Sequence, residues 1–312
     1  MKVAYAFRRA MYYPYDGPPF AFPAKDARAG WLRQIAALGF DGIEVGLDAV
    51  GSEFDERRAR ELQRELAGAG MPCAAVRGGG SLAHPRLHAA SGKRLEQTIR
   101  LAAWLGARVA NTGLTTPPHD PPGPGARNWG EASSQGSSRT ASEADYERTA
   151  TALQQASALA ADLGVQIAIE VHQHSIADNS WSALHLLDLV DRPNVGVNPD
   201  LGNIYWTYDE PEEQTEHAIV ALAPRAKYWH CKNLMRLNIP QLHYSVMQRV
   251  SLPDGDIDYR FAISAMHAAN YQGHLAVEGL PLGDQLTADG KSAAYVRAIL
   301  RELEDKTSDV GQ

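Results

Sequence analysis

Cysteine is scarce in this chain: of 312 residues only Cys73 and Cys231 carry thiols, and both lie inside apolar segments. Two thiols cannot build a disulfide framework, and buried reduced cysteines behave as small hydrophobes. No run approaches the roughly 18 apolar residues that would span a bilayer. The opening MKVAYAFRRAMYY lacks the apolar core and small-residue cleavage site of a signal peptide. A cytoplasmic location without membrane attachment is therefore expected. No block of basic residues occurs, and 37 acidic side chains outnumber 30 basic ones for a formal net charge of −7. That balance repels phosphate backbones and anionic surfaces, so no nucleic-acid partner is expected. No GxGxxG follows the first apolar segment. This weakens the case for a doubly wound open sheet carrying a dinucleotide.

What the chain does have is alternation. Short apolar segments read as strands: KVAYAF (2–7), FDGIEVG (40–46), PCAAVRG (72–78), ARVANTG (107–113), VQIAIEVH (165–172), NVGVNPD (194–200), AKYWHCKN (226–233) and GHLAVEG (273–279). Between and after them lie segments such as DERRARELQRELAGAG and SEADYERTATALQQASALAADLG, with apolar residues at i, i+3, i+4 and i+7. Gly39, Gly70, Gly106, Gly164 and Gly273 stand just before strands, where glycine would relieve a left-handed helix cap. Eight strands and eight helices in strict alternation predict parallel pairing and an α/β fold closed as a (β/α)8 TIM barrel. Residues 1–312 then form one domain.

Three connections are long: 8–26, rich in aromatics; 114–142, rich in Pro, Gly and Ser; and 234–257, mixed in character. All follow strands, which places them on the C-terminal face of a barrel, where active sites of this fold are built. The second reads equally as a lid or as disorder. The glycine run RGGGS (77–81) offers backbone N–H groups, but a plain turn explains it as well.

The polar residues fall at strand ends. Glu170 and His172 end the fifth strand, Asp200 the sixth, His230 and Lys232 the seventh, and Glu278 the eighth. Side chains two apart on a strand share a face, so Glu170 points with His172 and His230 with Lys232. If that face is the barrel interior, carboxylates and imidazoles converge on one mouth. Burying such charges unpaired is costly, and a divalent metal would resolve the cost. Anionic oxygens with an imidazole nitrogen suit Mn²⁺, Mg²⁺, Co²⁺ or Zn²⁺. Each residue also has a plainer reading: Glu170 paired with an arginine, Asp200 capping a helical turn, His230 a hydrogen-bonded core histidine, Glu278 a solvated strand end.

The order Glu, Asp, His, Glu on four consecutive strands resembles the xylose isomerase-like TIM barrels. The segments that carry the resemblance are IAIEVH (167–172), VGVNPDLGN (195–203), YWHCKN (228–233), LPDGDIDY (252–259) and LAVEG (275–279). The resemblance implies metal ligands Glu170, Asp200, His230 and Glu278, with Mn²⁺ as the first choice of ion. It also implies that the two glutamates flank a carbohydrate substrate and move protons. His172 is open between general base, support for Glu170 and a structural role; Lys232 is open between enolate stabilisation and a salt bridge. Asn203 stands where many members carry a histidine, and Ile176 where the ketose 3-epimerases carry a second glutamate.

A metal flanked by carboxylates suits proton removal beside a carbonyl, giving an isomerase or epimerase. The resemblance extends to catalytic subunits of C-glycoside deglycosidases, carbon–carbon lyases that eliminate an aglycone from a 3-keto-glucoside and work with a small β-type partner. A catalytically silent barrel acting as a binding subunit is the reading from a different class. A homo-oligomer is expected, or a hetero-complex with a small β subunit if the deglycosidase reading holds.

Overall fold

The structure, a computed structural model, describes residues 1–7, 22–51, 54–114, 127–128, 131–132, 137–173, 175–206, 212–239, 241, 244–280 and 283–310. Its frame is eight parallel strands: β1 (Lys2–Ala6), β2 (Gly42–Gly46), β3 (Cys73–Gly79), β4 (Val109–Gly113), β5 (Gln166–Glu170), β6 (Val195–Asn198), β7 (Trp229–Cys231) and β8 (His274–Glu278). In space they run β6-β5-β4-β3-β2-β1-β8-β7. One seam, between β6 and β7, lacks a ladder. It is drawn together by a single bridge, Val197 to Ala226, and by the Lys227 N–H donating to the Val197 carbonyl at 2.9 Å. The sheet is thus a nearly closed TIM barrel.

Among the described residues eight longer helices separate and follow these strands: α1 (Lys25–Ala37), α2 (Glu56–Gly68), α3 (His88–Leu105), α4 (Glu143–Asp162), α5 (Ser180–Val190), α6 (Thr215–Leu222), α7 (Tyr259–Ala268) and α8 (Gln285–Val310). Their local causes are readable. Asp55 caps α2 by accepting from the Arg57 N–H at 2.9 Å, and Ala59, Leu62 and Leu66 form its buried stripe. Ser142 and Asp145 make a capping box at the start of α4. Gly39, Gly70, Gly106 and Gly164 follow their helices at φ between 67° and 94°, as expected of caps. Gly273 does not. Asn270 (φ 57°) takes the left-handed conformation after α7, and Gly273 is small because a Cβ there would lie 2.4 Å from the Tyr271 hydroxyl. No helix among the described residues is long and apolar enough to cross a membrane.

Strand alternation splits the core into two layers. Outward residues such as Val3, Tyr5, Ile43, Ile167, Ile169, Trp229 and Val277 pack beneath the helices. Inward residues are small, with Ala4, Ala6, Ala75, Ala168 and Ala276 around Tyr228. Above this alanine floor the same inward positions turn polar: Glu44, Asn111, Glu170, Asn198, His230 and Glu278 are all buried.

The segment expected as a loop over 234–257 is largely sheet. Asn233–Ile239 pairs antiparallel with Tyr244–Val250, in register from Asn233 opposite Val250 to Ile239 opposite Tyr244. Its mixed composition is a two-sided ribbon, with Met235, Leu237 and Val246 on the outside. Most of the aromatic segment, 8–21, lies outside the described residues, as does most of the Pro/Gly/Ser segment. Phe22, at the end of the first, packs edge-on against Phe7 and Trp31 at 5.2 and 6.1 Å. In the second, Arg127–Asn128 and Glu131–Ala132 pair as two short antiparallel strands.

Candidate metal centre

Four side chains meet inside the C-terminal mouth of the barrel. Glu170 and Glu278 close β5 and β8, His230 is the middle residue of β7, and Asp200 lies just past β6. Each offers one ligand atom, and the four atoms lie within 4.8 Å of one another. Parity explains three of them, since Glu170, His230 and Glu278 share the inward face with Ala168, Tyr228 and Ala276. Asp200 arrives differently. The chain leaves β6 and starts a five-residue helix, Leu201–Tyr205, which Asp200 caps by accepting from the Asn203 N–H at 3.3 Å. The capping role and the site role coincide: Oδ1 holds the helix, while Oδ2 lies 3.9 Å from His230 Nδ1.

His230 sets the chemistry of the centre. Its Nε2 lies 2.6 Å from Glu44 Oε2, across the barrel on β2. A carboxylate accepts, so Nε2 carries the hydrogen and Nδ1 presents its lone pair. Nδ1 is buried and makes no hydrogen bond. It faces Glu170 Oε1 at 3.4 Å and Glu278 Oε1 at 3.5 Å. A lone pair among anionic oxygens in a dry interior needs a cation between them. Burial by itself would lower the imidazole pKa, but Glu44 and Glu170 beside it raise it to about 10. The ring would therefore hold a proton there in the absence of any other cation. Burial raises the Asp200 carboxyl in spite of the Lys232 ammonium 2.9 Å away. One imidazole nitrogen and three carboxylate oxygens are also a hard divalent donor set, and the cluster could hold a metal ion.

The surrounding shell is amide and cation. Asn203 Nδ2 lies 3.1 Å from Glu170 Oε1 and 3.0 Å from Asp200 Oδ2, strapping two of the acids together. Asn111 donates to Glu170 Oε2 at 3.3 Å. Asn198 donates to Asn111 Oδ1 at 3.1 Å and accepts the His230 N–H at 2.6 Å, so one side chain ties β4, β6 and β7. Lys232 Nζ reaches Asp200 Oδ2 at 2.9 Å and Glu278 Oε2 at 3.4 Å. Arg249, from the hairpin, donates to Glu278 Oε2 at 2.7 Å. Its guanidinium also lies 5.8 Å from the Trp206 ring centre.

A cavity of about 290 Å³ opens above these groups, lined in part by Glu170, His172, Lys232, Arg249 and Glu278. His172 Nδ1 lies 2.6 Å from the Gln173 carbonyl oxygen. That oxygen only accepts, so Nδ1 carries the hydrogen and Nε2 is the basic nitrogen of the ring. Of the six residues singled out from sequence, Glu170, His172, Lys232 and Glu278 line this cavity, while Asp200 and His230 are fully buried and join Glu170 and Glu278 in the ligand cluster. His174 and His243 lie outside the described residues. The sequence does not single out Glu44, Asn111, Asn198 or Arg249, all of which take part in the site. Glu44 had the same signature as Glu170, an acid on the inward face of an apolar strand. Arg249 had none, because its reach depends on a hairpin folding over the mouth.

The glycine run that closes β3 and continues past it proves to be a packing device. A Cβ on Gly78 would lie 2.0 Å from Thr98 Oγ1, and one on Gly80 2.6 Å from Ser91 Cβ, both on α3. The Gly80 and Ser81 N–H groups are already spent on the Gly113 carbonyl and on Ser91 Oγ.

Comparison with known proteins agrees with this architecture. A family model described as xylose isomerase-like TIM barrel matches residues 32–299. Among solved structures, a xylose isomerase-like TIM barrel protein from Mycobacterium smegmatis, in complex with magnesium, is 21% identical with a TM-score of 0.76, covering 96% of each chain. An L-ribulose 3-epimerase is 18% identical with a TM-score of 0.69, over 100% of this chain and 98% of its own. The 3-keto-D-glucoside 4-epimerase of E. coli is 17% identical with a TM-score of 0.68, over 96% and 99%. No curated protein matches the sequence. With its barrel intact and the family model spanning most of its length, the chain belongs to the xylose isomerase-like TIM barrel family.

Proposed function

We propose that this protein is a divalent-metal-dependent isomerase or epimerase that removes a proton next to the carbonyl of a keto-sugar or related polyol. The observation that carries the reading is His230 Nδ1, buried, without a hydrogen bond and facing Glu170 and Glu278 at 3.4 and 3.5 Å. Glu170, Asp200, His230 and Glu278 would hold the ion, with Mn²⁺ first and Mg²⁺, Co²⁺ or Zn²⁺ as alternatives. When bound, such an ion supplies Lewis-acid polarisation of the substrate carbonyl.

The chain's own residues do the rest. Glu44 holds the His230 ring and its tautomer. Lys232 and Arg249 fix Glu278 and place positive charge beside an enolate as it forms. Glu170 and Glu278 flank the substrate and exchange its proton; His172 Nε2 is a third base on the same cavity. Returning the proton to the opposite face epimerises, and returning it to the neighbouring carbon isomerises. The 3-epimerase and 4-epimerase activities named for structural neighbours are reactions of this kind.

Incubating the metal-loaded protein with ketoses in deuterated water tests the proposal. Solvent deuterium should enter the recovered sugar, and Glu170→Gln or Glu278→Gln should abolish that exchange. Retained exchange in both variants sinks the proposed site. His172, a base beyond the two glutamates, also favours a second reading, aglycone elimination from a 3-keto-glucoside. Release of free aglycone from a 3-keto C-glycoside, without deuterium uptake into any sugar, would establish that reading instead.

A further inference from the structure

The cavity has two unlike halves. The β5–β8 half carries the acids of the metal centre with Lys232 and Arg249, both engaged in ion pairs there. The β2–β4 half is lined by Gly46, Asp48, Arg77, Gly79, Arg94 and Gly113 among others. Strands β2, β3 and β4 all end in glycine, so little side-chain bulk rises from the rim there. The room is left to two arginines. Arg77 extends from β3 and meets Glu44 Oε1 through Nε at 3.4 Å, on a carboxylate whose other oxygen is engaged by His230. Arg94 reaches in from the second turn of α3 and makes no ion pair among the described residues. The Gly80 and Ser81 N–H groups are used within the fold, and the charged donors on this side are the two guanidinium groups. Asp48 is the only acid among the described lining residues of this half.

We infer that the β2–β4 half is an anion subsite and that the physiological substrate is an acidic or phosphorylated sugar. Its carbonyl end lies over Glu170 and Glu278, and its carboxylate or phosphate lies against Arg94 and Arg77. Guanidinium groups bind either oxyanion through paired N–H donors, and each such contact is strong when partly desolvated. A neutral ketose would leave Arg94 facing an uncharged hydroxymethyl group. The inference rests on the proposed function for the position of the carbonyl end.

D-Fructose, D-fructuronate and D-fructose 6-phosphate share one frame and differ in the group at the far end, so they separate the alternatives. Their affinities are measured by calorimetry on wild-type protein with and without Mn²⁺, with Mn²⁺ binding titrated on its own. At least one anionic sugar should bind roughly tenfold or more tighter than fructose. Which of the two binds tighter identifies the group as carboxylate or phosphate. Arg94→Gln should remove most of that advantage while fructose affinity stays within about twofold, and Arg77→Gln should remove part of it, read against its own Mn²⁺ titration because Arg77 also pairs with Glu44.

Equal affinity for neutral and anionic sugars overturns the inference. So does an advantage that survives both substitutions, because the anion then sits on the ion rather than on the arginines. Binding of neither anionic sugar, with or without Mn²⁺, also overturns it. If Mn²⁺ does not bind but the Arg94-dependent advantage persists, the metal-enzyme reading falls and the anion subsite stands.

Discussion

At the scale of single residues the centre depends on how each ligand is held. Glu44 touches only the far nitrogen of His230, yet it decides which nitrogen faces the acids. Replacing it with Gln should lower Mn²⁺ affinity by about 10–100-fold, as is usual for partners that orient metal ligands. Calorimetric titration of Mn²⁺ checks this without reference to turnover. Gly202 is a steric counterpart. A Cβ there would lie 2.3 Å from Lys232 Cγ and 2.8 Å from the Lys232 carbonyl oxygen. Gly202→Ala should therefore displace Lys232 and destabilise the fold by about 1–3 kcal/mol, read from urea midpoints. Glu170 and Glu278 were legible in the sequence because an acid after an inward apolar residue at a strand end has few plain explanations. For Lys232 the sequence allows both a salt bridge and enolate stabilisation, and the salt bridge to Asp200 is present at 2.9 Å.

At the scale of elements, the turn that follows β8 carries a titration of its own. Asp289, in the first turns of α8, is 1% exposed. It accepts hydrogen bonds from the Tyr5 hydroxyl at 3.0 Å and from the Leu280 N–H at 3.1 Å. Burial outweighs these bonds and raises its carboxyl to about 7. An unfolded aspartate titrates near about 3.9. Between those values the native state binds the extra proton, so stability falls as pH rises, by up to about 1.4 kcal/mol per pH unit. Asp289→Asn should flatten the stability profile over that window and raise it above pH 7, measured by urea unfolding from pH 4 to 8. A flat wild-type profile would rule the effect out. Helix caps were readable from glycines before strands. The exception after α7 arose because Asn270 supplies the left-handed residue and the local packing of Tyr271 demands Gly273. The hairpin is not legible in the sequence because neither of its faces is continuously apolar. Its order comes from pairing with itself and from side chains such as Arg249 reaching the mouth.

For the whole molecule, the weak point is the seam between β6 and β7, where side-chain hydrogen bonds do what a strand ladder does elsewhere. Asn198 supplies the central one, accepting the His230 N–H and donating to Asn111. Asn198→Leu keeps the approximate shape and strands both partners in the interior. It should cost about 2–4 kcal/mol, since each buried group left unsatisfied costs about 1–3 kcal/mol. It should also weaken Mn²⁺ binding by loosening His230. Urea unfolding and Mn²⁺ titration on the same variant check the two effects together. The sequence by itself determined the eightfold βα alternation, the shared parity of Glu170, His230 and Glu278 with the residues two places before them, and so the barrel and its polar mouth. These follow from local periodicity, because a period of two or 3.6 residues fixes which side chains share a face. The tertiary structure alone decided that Glu44 orients His230 from across the barrel, that Asn198 closes the seam, and that Arg249, Arg77 and Arg94 meet one cavity. Those contacts join residues far apart in the chain, and only closure of the sheet brings their side chains within reach.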